Sequence, residues 1–203
     1  MTTPPVSAAE RSQAARIGAV LFRNRSWLPV PFLAVPLFVP GNQTLRGWLT
    51  AIAVIVLGEL VRLSGVAAAG SVTRRRSRDV QRLVTYGIFA WLRNPLYVGN
   101  LMIWIGFVIG SGLLWFVPVA IVLFGIEYSL IVRYEEGVLE SIFGAEYVAY
   151  KQRTPRWFPK PPSKVAAGEY DWIEALRSEV STFAQYAALG AAFWIKTHIS
   201  WRP

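Results

Sequence analysis

The fold class that this sequence predicts is all-α, a polytopic bundle of membrane helices, and three observations predict it. Hydrophobic residues fill 54% of the 203 positions and aromatics 14%, against 16% charged, which is rich for a soluble domain. The apolar residues fall in runs at 47–69, 96–112 and 113–134, which read as spans of a hydrocarbon core about 30 Å thick. The basic residues behind the net charge of +9 gather between those runs. Nucleic-acid binding would explain the charge but not the runs; positive loops beside membrane spans explain both.

Taken in order, Met1–Ala9 is polar and Pro-bearing and lacks the small-residue cleavage site of a signal peptide. Arg11–Arg25 reads as a helix along the membrane surface, so residues 1–26 form a tail and interfacial helix. Trp27–Pro40 carries Pro29, Pro31, Pro36 and Pro40 and reads as a short or kinked span. Gly47–Ala69 crosses fully, with Glu59 and Arg62 three apart on one face. A charged pair at that depth faces the protein interior, as a salt bridge that locks packing or as a lining of a substrate cavity.

Ser71–Arg82 holds Arg74, Arg75, Arg76, Arg78 and Arg82, a topology-fixing loop that touches anionic headgroups. Leu96–Gly112 and Leu113–Tyr134 form an antiparallel hairpin through Gly110-Ser111-Gly112, with Gly106 and Gly110 on a close-packed face. Asn100 needs a partner inside its apolar helix. Glu127 lies about 12 Å below Glu135 at 1.5 Å per residue, so Arg62 is expected to bridge Glu59 and Glu127. Arg133 is spaced to reach Glu136.

Glu136–Tyr150 then leaves the membrane, interrupted at Gly144, and 151–164 is basic and Pro-rich. From Glu169 a helix with a stripe at Trp172, Leu176, Val180, Phe183, Ala187, Gly190 and Trp194 is expected to lie on or dip into the membrane, or to pack on a second subunit. The expectation is four spans, or five, with interfacial helices at both ends. The division is 1–26, a membrane domain at 27–164 with its core at 86–160, and 165–203. Both chain ends and the turn before Leu96 are placed in the cytoplasm.

The absence of cysteine and the single histidine, His198, exclude disulfides, thiolate chemistry and multi-His metal sites. Polar residues instead gather at both ends of the hairpin. Asn94 and Pro95 are a good N-cap and first helical position, so the first turn, Pro95-Leu96-Tyr97, points a positive dipole end at an anion. Gly99 removes bulk beside it. Glu135 and Glu136 return to the same side and suit a cation. A ligand carrying both charges, such as an amino-acid moiety, satisfies both edges.

The spacing Gly87…Arg93-Asn94-Pro95-x-Tyr97-x-Gly99, the hairpin, Glu135-Glu136, Phe143-Gly144-x-x-Tyr147-x-x-Tyr150 and the tail Arg153, Pro155, Arg156, Pro159 resembles the isoprenylcysteine carboxyl methyltransferase and phospholipid methyltransferase superfamily of integral-membrane enzymes. The resemblance covers Tyr86–Pro159. At one position it departs: the family's cofactor-contacting His is Asn94 here, which keeps the hydrogen-bonding capacity. The resemblance implies S-adenosylmethionine as cofactor, bound by Asn94, Pro95, Leu96, Tyr97, Gly99 and Glu135. It implies Arg93 and Glu136 as catalytic residues. From their charge, depth and spacing, Arg62, Glu59, Glu127 and Arg133 are expected toward a lipophilic acceptor, and no metal is expected.

The acceptor expected is an isoprenylcysteine-type carboxyl group; an ethanolamine headgroup is the alternative. A sterol-type reductase and a non-catalytic scaffold are more distant ones. Membrane lipids and a second copy of the chain complete the expected partners.

Overall fold

The computed structural model describes residues 13–25, 29–70, 82–162 and 167–198. The arginines at 74–78, Arg11 and Lys164, which figured in the charge argument, lie outside the described residues. The described chain is helical: α1 Gln13–Asn24, α2 Pro29–Phe38, α3 Leu45–Ala69, α4 Ile88–Trp91, α5 Pro95–Gly110, α6 Phe116–Phe143, α7 Ala145–Arg153 and α8 Trp172–His198. Among these residues α3 and α6 are long and apolar enough to cross a membrane, and α5 is a shorter apolar helix. The ten residues of α2, with Pro36 inside, make a short helix where a short or kinked span was expected.

The bundle is built on the pair α3 and α5, which run antiparallel: Gly65 meets Pro95 and Leu96 at one end, and Gly110 meets Trp48 and Ala51 at the other. Between them the backbones touch. A Cβ on Gly58 would lie 2.8 Å from the Gly99 carbonyl oxygen, and one on Gly99 would lie 2.5 Å from the Gly58 carbonyl oxygen. Only glycine permits that approach. Gly106, against Ile55 and the Ala51 carbonyl, extends the same seam.

A tight turn returns the chain from α5 to α6, where Val108, Leu113, Phe116 and Ala120 close a small core with Val35 of α2. The loop at 41–42 packs on that turn: Gly112, at φ +77°, lies so close to the Asn42 backbone that a side chain has no room. At the opposite end α1 rests on α6, with Gly18 against the Leu130 carbonyl, Phe22 against Tyr134 and Arg25 beside Glu135.

Two expectations change. α6 runs unbroken to Phe143 and stops at Gly144, at φ +52°, so Glu135 and Glu136 sit inside a helix rather than where one ends. Second, α8 packs on the helices of its own chain. Asp171 donates its N–H to the Ala67 carbonyl, Ala175 packs with Leu63 and Val66, and Phe193 packs with Ile103 and Phe107. Lys196 finally donates to the carbonyls of Pro36 and Val39. The helix therefore lies along the whole of α3 and ends at the far end of the bundle from Pro95, against the expectation that both chain ends share its side.

The apolar stripe expected to meet the membrane or a second subunit lies largely on the outside of α8. Trp172, Leu176, Val180 and Trp194 are exposed, whereas Ala175, Glu179 and Phe193 are buried. On α3, likewise, Leu49, Ile52, Val56 and Leu60 face outward while Ala51, Gly58, Ala67 and Ala68 are buried. Small residues inside and large apolar ones outside is the arrangement of helices solvated by lipid.

Two outcomes follow from this packing. Gly99→Ala places a methyl against the facing backbone and should cost about 1–3 kcal/mol, whereas Gly125→Ala meets nothing within 4 Å and should leave the thermal midpoint in detergent unchanged. Because the sequence has no cysteine, Asp171→Cys and Lys196→Cys can be labelled singly in sealed vesicles; the two should react with an impermeant maleimide from opposite sides.

Candidate functional site

At the start of α5, Asn94 occupies the N-cap position and Pro95 the first helical one, as the sequence predicts. The Asn94 side chain does not cap. Its amide donates to the Arg156 carbonyl at 3.1 Å, because the tail after α7 lies across this turn. Arg93 N–H donates to the Pro155 carbonyl at 2.9 Å, and Lys160 N–H to the Trp91 carbonyl at 3.0 Å. The first turn of α5 is left with no side chain on its amide donors. The Tyr150 hydroxyl ties α7 to the same turn by donating to the Phe89 carbonyl at 2.7 Å. Burial pushes the phenols of Tyr147 and Tyr150 above their ordinary values, so both remain donors.

The adjacent glutamates diverge, because neighbours on a helix point about 100° apart. Glu135 accepts from the Tyr97 hydroxyl at 2.8 Å and lies 3.7 Å from Nη1 of Arg25. Glu136 is buried and faces the tail instead. It accepts from Arg156 through Nε at 3.0 Å and through Nη2, and Nη2 of Arg93 lies 3.2 Å from its Oε1. The Arg93 side chain is only 10% exposed, and its Nε is buried with no hydrogen-bond partner. Pro95, Tyr97, Glu135, Glu136 and Arg93 thus share one end of the bundle.

Other predicted site residues have different duties. Leu96 packs its side chain on Leu63, Val66 and Ala67, so only its backbone faces this end. Gly99 makes room for α3 and for the stem of Arg62, 2.6 Å from where its Cβ would be, and not for a ligand. Arg133 is exposed, and Glu136 is held by Arg93 and Arg156 in its place.

Deeper in the bundle, Arg62 does not bridge Glu59 to Glu127. Its Nε donates to Glu59 at 3.2 Å, Nη1 to Asn100, and Nη2 to both oxygens of Glu179 at 2.8 and 2.9 Å. Tyr186 completes the group by donating to Glu59 at 3.0 Å. Glu127 instead lines a small apolar cavity with Phe32, Trp104, Phe124 and Tyr128. Glu179, Tyr186 and Arg25 were not singled out from the sequence. Glu179 sits in the polar half of α8, beside Arg177 and Ser178, where an acid carries no signal of burial and nothing local says that Arg62 is its partner.

The sequence pattern of the phospholipid methyltransferase family matches residues 47–146, which holds most of α3, all of α4–α6 and the Gly144 break. Protein-S-isoprenylcysteine O-methyltransferase of Homo sapiens is 34% identical over 148 residues, 66% of this chain and 48% of that protein. The Tribolium castaneum protein of that name is 32% identical over 145 residues, 66% of this chain and 49% of its own length. Protein-S-isoprenylcysteine O-methyltransferase B of Arabidopsis thaliana is 29% identical over 138 residues, 63% and 68% respectively. The chain spans about half the length of the animal relatives. With the signature residues gathered at one end of an inside-out helix bundle, the chain belongs to the isoprenylcysteine carboxyl methyltransferase and phospholipid methyltransferase superfamily.

Proposed function

We propose that this protein is an integral-membrane methyltransferase that uses S-adenosylmethionine to methylate a lipophilic acceptor, an isoprenylcysteine-type carboxyl group. The observation that carries the reading is the buried Arg93 Nε without a partner, between an uncapped helix start and the paired Glu135 and Glu136. A donor left unsatisfied in a buried site is costly, and an anionic ligand group removes the cost. The names of the relatives support the same choice of chemistry.

The residues fit the cofactor. Glu135, oriented by Tyr97, offers a carboxylate to an ammonium group, and the first-turn amides of α5 offer donors to a carboxylate. When bound, S-adenosylmethionine supplies a methyl group on a cationic sulfur that departs as a neutral thioether. The chain positions and excludes water; it needs no nucleophile of its own. Arg93 orients an acceptor carboxylate, and Glu136 holds Arg93.

With both oxygens already accepting from guanidinium groups, Glu136 acts as an anchor for Arg93 and not as a catalytic base. A carboxylate acceptor requires no base, which favours O-methylation over headgroup N-methylation. The basic residues before α5 and after α6 support a cytosolic active end, on the side where the cofactor is made.

Full-length protein in nanodiscs should bind S-adenosylmethionine in a calorimetric titration; no binding at millimolar cofactor would end this reading. Glu135→Gln should weaken that binding about ten- to hundredfold, the worth of a charge-assisted hydrogen bond. Labelled methyl should pass to a prenylcysteine acceptor and be released as methanol by alkali, as an ester requires. Label retained through alkali treatment on an ethanolamine phospholipid would assign the N-methyl alternative.

A further inference from the structure

Helix α8, outside the family-matched segment, meets the polar group around Arg62 through Glu179 and Tyr186. Glu179 is fully buried on α8 and accepts twice from Nη2 of Arg62, 117 residues earlier. Arg62 is held on three sides: Nε on Glu59, Nη1 on Asn100 and Nη2 on Glu179. Its stem lies across the α5 backbone at Gly99, in the turn directly after Tyr97. Asn100, on the other side of Gly99, lies one turn after Tyr97 on α5. The Tyr128 ring lies 4.6 Å from that of Tyr97, whose hydroxyl donates to Glu135.

We propose that Glu179 is a positioning residue for the methyl-donor site: by fixing Arg62 on Asn100 and across Gly99 it sets where the first turn of α5 holds Tyr97 against the Glu135 carboxylate. Arg62 is thereby removed from the acceptor-gripping role the sequence implied, since every one of its nitrogens already donates. The inference rests on the donor-site reading above. Physically it is a series of polar contacts from α8 to α3 and α5, continued through one turn of the α5 backbone to Tyr97, between elements that share no sequence neighbourhood.

Plain docking of α8 makes a different prediction, because α8 has a second polar tie. Lys196 anchors its far end on the α2 carbonyls and touches nothing in the series. If α8 matters only by being packed, loss of either tie should act alike. The test measures S-adenosylmethionine affinity by calorimetry on the full chain in nanodiscs for Glu179→Ala, Glu179→Gln, Glu179→Asp and Lys196→Ala, each checked for an unchanged elution profile.

The expected result is affinity about tenfold weaker for Glu179→Ala, substantial rescue by Glu179→Asp, and no change for Lys196→Ala. In addition, Glu179→Ala combined with Asn100→Ala should lose no more than the worse single variant, since both break the same series. Should Glu179→Ala fail to fold, the isosteric Glu179→Gln is read in its place. Wild-type affinity in the Glu179 variant, or equal losses in the Glu179 and Lys196 variants, overturns the proposal while leaving the donor site standing. A wild-type chain that binds no cofactor overturns the donor-site reading itself.

Discussion

The contact on which the rest of the structure depends is the meeting of two backbones at Gly58 and Gly99. In lipid there is no hydrophobic drive to press helices together, so dispersion and polar contacts must hold them, and both need close approach. Once α3 and α5 touch, the side chain one turn after Gly58 has nowhere to go but along α5. That side chain is Arg62. Its charge is then enclosed by protein, and the surrounding helices must supply acceptors: Glu59 from its own helix, Asn100 from α5 and Glu179 from α8. The glycine seam thus dictates the polar cluster, and the polar cluster dictates where α8 must lie.

The same seam aims the candidate site. Because α5 is fixed along its length by α3, its first turn is a rigid platform, and the loop before it is clamped from the other side by the tail after α7. Asn94 is drawn into that clamp and away from capping. The outcome is an N-terminal turn whose amides are left for another partner, beside a buried arginine with an unused donor. A surface helix would be capped at this position; a ligand-facing one gains from being left open.

Local rules made much of this legible before any coordinates. The hairpin, the Pro95 start, the glycine faces at Gly106 and Gly110 and the Glu59–Arg62 pair all rest on spacings of a few residues, and each is present. What failed was long-range or environmental. An arginine with two candidate acids cannot be assigned from depth alone: Glu127 was at a comparable depth, while Glu179 lay on a helix whose path was undetermined. The apolar stripe of α8 was expected against the membrane or a second subunit, and its large residues are exposed; the packed face, Ala175, Glu179 and Phe193, carries no such stripe and was not read.

The adjacency of Glu135 and Glu136 carries a further consequence of helix geometry. As long as α6 was expected to end near them, both could turn toward one cation. An unbroken α6 separates them by about 100°, so one faces Tyr97 and Arg25 while the other faces Arg93 and Arg156. Under the proposed function, the division gives a carboxylate to each half of a two-substrate reaction. One lies against the polar start of α5, open to a water-soluble zwitterion; the other fixes an arginine whose remaining donor suits an anionic acceptor. Two consecutive acids on a straight helix are a compact way to serve two ligands of opposite character, because the helix itself keeps the two groups apart.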